Sequence, residues 1–109
     1  MLIQNNDNQS VVILSFDIKT LRDPEPLQEE IMKYLQKGNK HFLIDLEKIN
    51  YISSSVLGFL ISMHKELNKQ GGKIKLVNVQ PSVSNLFELT RLDRFLEMYN
   101  DKIIAVNSF

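Results

Sequence analysis

His41-Phe42-Leu43-Ile44-Asp45-Leu46, five further residues, then Ile52-Ser53-Ser54-Ser55-Val56-Leu57-Gly58 is the stretch that decides how this chain reads. Its first half is a short, nearly continuous apolar run, the pattern of a strand covered on both faces. Its second half opens a helical period, with Leu57, Leu60, Ile61, His64 and Leu67 on one stripe between Val56 and Lys69. A strand, a short connection and a helix form the unit of an α/β fold, and Ser53-Ser54-Ser55 stands in that connection. Ligands and partners of open α/β sheets meet the protein at such carboxyl-end loops. Serine is also a preferred N-cap, because its hydroxyl accepts a bond from the free N–H groups of the first turn. For the bare tripeptide, capping is the stronger of the two readings.

Working outward, Val11-Val12-Ile13-Leu14 is short and β-branched and reads as a strand. Leu2-Ile3 pairs with it across a turn at Asn5 to Asn8. Asp23-Pro24 reads as a polar cap followed by proline at the first helical position. Leu27, Ile31, Tyr34 and Leu35 recur at helical spacing, and Gly38 is a natural stop. Gly71-Gly72 ends the central helix, and Lys73-Ile74-Lys75-Leu76-Val77 alternates polar and apolar as another strand. Pro81 opens a third helix with Val83, Leu86, Phe87 and Thr90 on one face. Ile103-Ile104-Ala105-Val106, again β-branched, reads as a closing strand. Strands alternating with helices call for right-handed crossovers and a mostly parallel sheet. So short a chain has room for helices on one face, with the other partly open.

The 109 residues suit one domain, 1–109, with one core. Thirteen basic and thirteen acidic side chains cancel, which removes the excess positive charge that general nucleic-acid binding rests on. Cysteine is absent, so thiol chemistry and disulfides are excluded. Nothing approaches the ~18 apolar residues of a membrane span, and the Asn- and Gln-rich start is unlike a signal peptide. The expectation is a cytoplasmic protein that does not insert into membrane. His41 and His64 read as structural, and two isolated histidines make no metal set. Gly71-Gly72 precedes a strand rather than a helix, so it is no phosphate cradle. Asp45 and Glu47 are close only in sequence. No enzyme signature survives, and no cofactor or metal is expected.

The ordered set of features resembles the STAS domain of anti-sigma factor antagonists. That family commonly reads as an apolar run, Asp-Leu, a spacer, then Asp-Ser-Ser-Gly-Leu-Gly or a close variant. The similarity continues through Gly71-Gly72, through Lys75-Leu76-Val77-Asn78-Val79 and through Val83 to Asp93. It spans roughly residues 10 to 106. The resemblance implies a small mixed, mostly parallel sheet of four to five strands with helices packed mainly on one face. It also implies partner switching. The unphosphorylated antagonist binds an anti-sigma factor serine kinase, is released once phosphorylated, and is reset by a serine phosphatase.

Carried over by motif position, the acceptor is Ser54, with Ser53 and Ser55 as alternatives. Ser53 stands where the family has Asp, and Val56 where it has Gly. Phe16 and Lys19 depart from a Gly-Asp-Leu-Asp pattern around Asp17-Ile18. The departures at Ser53 and Val56 keep a second reading open, a STAS scaffold or transport-accessory subunit that binds a protein without phosphorylation. A third reading, a small enzyme or ligand-binding domain using the loop serines as nucleophiles, lacks a base near them in sequence. The partner surface is expected at Ser53, Ser54, Ser55 and Val56, extended along the helix by Phe59 and Met63. Those last two lie off the main stripe and suit either an interface or packing beneath a neighbouring helix.

Overall fold

The computed structural model describes the backbone of residues 2–5 and all of residues 11–109. The apolar run of the opening stretch forms β4 (His41–Asp45), central in a five-stranded sheet. Its neighbours are β2 (Val11–Ser15) and β6 (Lys73–Val77), both parallel to it. β1 (Leu2–Asn5) is antiparallel to β2 at one edge, and β7 (Met98–Tyr99) is parallel to β6 at the other. The expected Leu2-Ile3 pairing with the first long strand is present; of the turn beyond it, residues 6–8 lie outside the described residues. This is the expected mixed, mostly parallel sheet.

Helices α1 (Glu25–Gln36), α2 (Ser54–Asn68) and α3 (Pro81–Leu89) supply the crossovers. Leu27 and Ile31 from α1, Leu57 and Leu60 from α2, and Val83 and Phe87 from α3 join one core cluster. Alternate strand residues meet them there: Val12 and Leu14, Phe42 and Ile44, Ile74 and Leu76. Gly71, at φ +81°, turns the chain out of α2, a conformation glycine adopts without strain. At Gly72 any Cβ would stand 2.3 Å from the Lys40 carbonyl oxygen, so the two chain segments meet only because that residue has no side chain.

Two expectations need correction. Ile103-Ile104-Ala105-Val106 is not a strand but most of a short helix, α4 (Lys102–Asn107). Asp101 caps it by accepting from the Ile104 N–H at 3.0 Å, and Met98-Tyr99 takes the edge position instead. β-branching suggested a strand, yet the burial is helical. Ile103 and Ile104 are 73% and 60% exposed while Ala105 and Val106 are buried. Consequently the second face of the sheet is covered, by Ala105 and Val106 on Val11, Ile13, Leu43 and Val77.

Within β6, Lys75 is only 3% exposed. Its ammonium donates to the Ser108 carbonyl and Oγ, both at 2.9 Å, and lies 3.5 Å from Glu97 and over the Phe109 and Tyr99 rings. The segment after α4 therefore seals the residue that alternation would expose. Finally, α1 starts one residue late. Pro24, not Asp23, occupies the cap position, and no side chain caps the helix.

Candidate functional site

Two short loops converge at the carboxyl end of β4. Residues Thr20–Leu21 (β3) and Tyr51–Ile52 (β5) form a two-residue parallel ladder, with Thr20 opposite Tyr51 and Leu21 opposite Ile52. Leu21 and Ile52 are buried, which points Thr20, Arg22, Tyr51 and Ser53 outward by strand alternation. The ladder continues on both sides. Asn50 N–H donates to the Lys19 carbonyl at 2.8 Å, and Ser53 N–H to the Leu21 carbonyl at 2.9 Å. From the start of α3, Ser82 Oγ donates to the Asn50 carbonyl at 3.2 Å, and just before it Gln80 Nε2 reaches the Glu47 carbonyl at 2.7 Å. The loop leading into α2 is thus held from both sides.

Ser53 is the N-cap, with extended backbone (φ −74°, ψ 161°). Its Oγ accepts from the Val56 N–H at 3.2 Å and donates to the Arg22 carbonyl at 2.7 Å. The hydroxyl's one donor is used on the neighbouring loop and one of its two acceptor sites on the helix. Ser54 is the first helical residue and Ser55 the second; both are exposed. Among the described residues nothing hydrogen-bonds to either hydroxyl.

Val56 is fully buried and belongs to the core, so its side chain lies beneath the loop rather than on a surface a partner touches. The sequence-based assignment of Val56 to the contact surface is corrected accordingly. Its β-branched bulk fills the interior under the first turn. Phe59 and Met63 are half-buried and pack against the same core, leaving each a partial surface along α2.

Arg22 and Tyr51 belong to this site, and the sequence did not point to them. The guanidinium lies 5.1 Å from the Tyr51 ring centroid, a cation–π contact, with both side chains exposed. Two-residue strands are too short to produce a periodic signal, so nothing in the sequence paired the two loops. Beside them lies an open groove of about 230 Å³ lined by Ile18, Thr20, Leu21, Arg22, Asp23 and Pro26.

Chemically, the loop presents an ordinary alcohol. His64 lies ten residues along α2 from Ser54, about 15 Å of helix axis. Its Nδ1 accepts from the Ile74 N–H at 3.4 Å. His41 sits at the opposite, amino end of β4 against the Phe109 ring, 5.5 Å between centroids. Neither histidine is placed to activate Ser54. Among the described residues Ser54 has no base hydrogen-bonded to it, and its hydroxyl stands at the positive end of α2.

Comparison with known proteins places this geometry. The chain is 27% identical over 96 residues to the anti-sigma-B factor antagonist of Bacillus subtilis, covering 88% of this chain and 86% of that protein. A crystal structure of a candidate anti-sigma factor antagonist from Thermotoga maritima superposes with a TM-score of 0.85 at 25% identity, over 98% of this chain and 92% of the other. The antagonist SpoIIAA in its unphosphorylated form shares the fold, with a TM-score of 0.79 at 20% identity over 98% and 95% of the two chains. Its Bacillus counterpart in the phosphorylated form gives 0.73 at 18% identity, over 98% of each chain. Residues 8–102 match the STAS domain model, and the chain belongs to the STAS domain family.

Proposed function

We propose that this chain is an anti-sigma factor antagonist that works by partner switching through Ser54. The observation that carries the reading is the division of labour within the serine cluster. Ser53 is committed to the cap and to Arg22, whereas Ser54 is exposed, unbonded and held on a rigid helix start. A partner serine kinase transfers the γ-phosphoryl group of ATP to Ser54 Oγ. The bond to ADP breaks, and the hydroxyl proton passes to a base on the kinase.

The product carries about −1.5 to −2 charges and three acceptor oxygens at the positive end of α2, where the helix tolerates them. The fold survives, and the partner meets a charge that is costly to desolvate against an acidic or closely packed surface. The groove beside Arg22 and the partial surfaces of Phe59 and Met63 supply apolar contact for the unphosphorylated complex. A serine phosphatase restores the hydroxyl. The names of the relatives support the antagonist role, while Ser53 and Val56, in place of the family's Asp and Gly, leave a second reading, a protein-binding STAS scaffold without phosphorylation.

Incubation with ATP and each candidate anti-sigma serine kinase, followed by intact-mass and peptide mapping, separates the two. The expected outcome is one phosphoryl group on Ser54, absent in Ser54→Ala, and loss of kinase binding by the modified protein. No mass gain with any kinase that binds the chain sinks the switch and leaves the scaffold.

A further inference from the structure

The partner-switching reading leaves open what this chain itself does with a phosphoryl group on Ser54, and the neighbouring loop supplies an answer. We propose that Arg22 is the built-in counter-ion of the modified site: its guanidinium leaves the Tyr51 ring and pairs with the phosphoryl group on Ser54. The proposal rests on Ser54 being the acceptor.

Three observations carry it. The Ser53 hydroxyl ties the Arg22 carbonyl to the helix start at 2.7 Å, and the Ser53 N–H holds the Leu21 carbonyl at 2.9 Å. Arg22 is therefore held by its backbone against Ser53, the residue before Ser54. Register then places the side chain. With Leu21 opposite Ile52 and both buried, Arg22 projects on the outer face, as Ser53 and Tyr51 do. The third observation is the state of the guanidinium. Among the described residues no carboxylate pairs with Arg22, and its recorded contact is the Tyr51 ring at 5.1 Å.

A cation resting on an exposed ring is weakly held, since exposed cation–π contacts are among the weaker ones. Guanidinium and phosphate match in a two-bond fork that a ring face does not offer. Ser53 contributes twice, as the latch and as a neutral residue. An acidic side chain there would present a carboxylate to Arg22 before any phosphate arrived. Pairing would change the surface at two places, adding a phosphate at Ser54 and uncovering the Tyr51 ring.

The test installs phosphoserine at position 54 during synthesis, so no kinase is required. Phosphorus NMR then follows the second ionisation of the phosphate in the otherwise unchanged chain and in the same protein carrying Arg22→Gln. The helix dipole acts on both alike, so the difference isolates Arg22. The expected result is a midpoint higher by roughly 0.5–1 unit in Arg22→Gln, as befits loss of a close cation from an exposed acid. Arg22→Lys should recover part of the difference. In proton spectra the Arg22 side-chain resonances, shifted upfield by the Tyr51 ring in the unmodified protein, should move downfield on phosphorylation. Equal midpoints with unmoved Arg22 resonances overturn the proposal. A kinase that never labels Ser54 would instead sink the partner-switching reading, leaving this result to stand or fall separately.

Discussion

The starts of α2 and α4 share one local device and put it to opposite ends. Each helix begins on a polar cap whose oxygen accepts from the N–H three residues on: Ser53 from Val56 at 3.2 Å, Asp101 from Ile104 at 3.0 Å. Beyond the caps the two regions part. At α2 the next polar side chains, Ser54 and Ser55, face solvent with their hydroxyls unbonded. Beside α4 the polar side chains turn inward. Asp45, 5% exposed, pairs with Lys102 at 3.1 Å and accepts from the Glu47 N–H at 3.0 Å, while Lys75 is bound by Ser108 and Glu97. A polar group satisfied within the chain holds the fold. One left free on a rigid helix start is available to another molecule.

The sharpest way to break that contrast is to remove Lys75. Lys75→Ala strips the donor from the Ser108 carbonyl and Oγ and empties the space between β6, Tyr99 and Phe109. A loss of about 2–3 kcal/mol is expected from the unmet polar groups and the lost packing. Lys75→Met keeps the stem in place and should recover about half, because a buried charge also carries its own desolvation cost. Urea unfolding measures both. Ser54→Ala should move the same curve by less than ~0.5 kcal/mol, as for an exposed side chain without partners. Equal costs at positions 54 and 75 would dissolve the distinction between an open site and a sealed one.

The caps test the next level. Ser53→Ala and Asp101→Ala should each cost about 1 kcal/mol, but the loss should be distributed differently. α2 anchors Val56, Leu57, Leu60 and Leu67 in the main core, so its cap is coupled to global unfolding. α4 buries only Ala105 and Val106 and opens more readily on its own. Hydrogen exchange should therefore accelerate in residues 102–109 of Asp101→Ala while β4 and β6 keep their protection. Ser53→Ala should lower the melting transition as a whole. Uniform acceleration throughout Asp101→Ala would show α4 to be part of the global unit.

The same contrast explains what could be read without coordinates. Around α2 the signals agreed. A buried strand run at Phe42 to Leu46, a cap serine and a helical stripe all pointed to one strand–loop–helix unit, and it is present. At α4 two signals conflicted. Four β-branched or small apolar residues argue for a strand, and Asp101, a good N-cap residue, argues for a helix start. Lys75 shows what alternation alone does not carry. Alternation reports which face a side chain leaves from, not whether a later segment closes over it, and Ser108 and Phe109 do. Within the candidate site, Ser53 to Ser55 were visible from local chemistry and from the family pattern. Arg22 and Tyr51 were not, because only the two-residue ladder between β3 and β5 brings them together.

The two histidines give the smallest effect, one from each side of the sheet. His64 sits on α2 with its Nδ1 bound to the Ile74 N–H, and His41 on β4 packs against Phe109, its own Nδ1 buried without a hydrogen bond. Burial is the main influence holding both imidazoles below their usual pKa. Lys73 adds to it at His64, and Lys40, Lys75 and Lys73 add to it at His41; Glu97 works in the opposite sense at His64. As pH falls through ~6.5, the unfolded chain takes up these protons before the folded one does. The contribution of both histidines is therefore complete above that value, shrinks as pH drops below it, and levels off once the folded histidines are protonated too. Urea midpoints should be lower at about pH 5.5 than at about pH 7.5, in the window where only histidines titrate at their ordinary values. His41→Phe, which keeps a ring against Phe109, should remove the share belonging to the α4 face, and His64→Gln the share belonging to α2. If the double variant kept the full slope, carboxylates rather than histidines would carry it, and the acid sensitivity would not divide between the two faces.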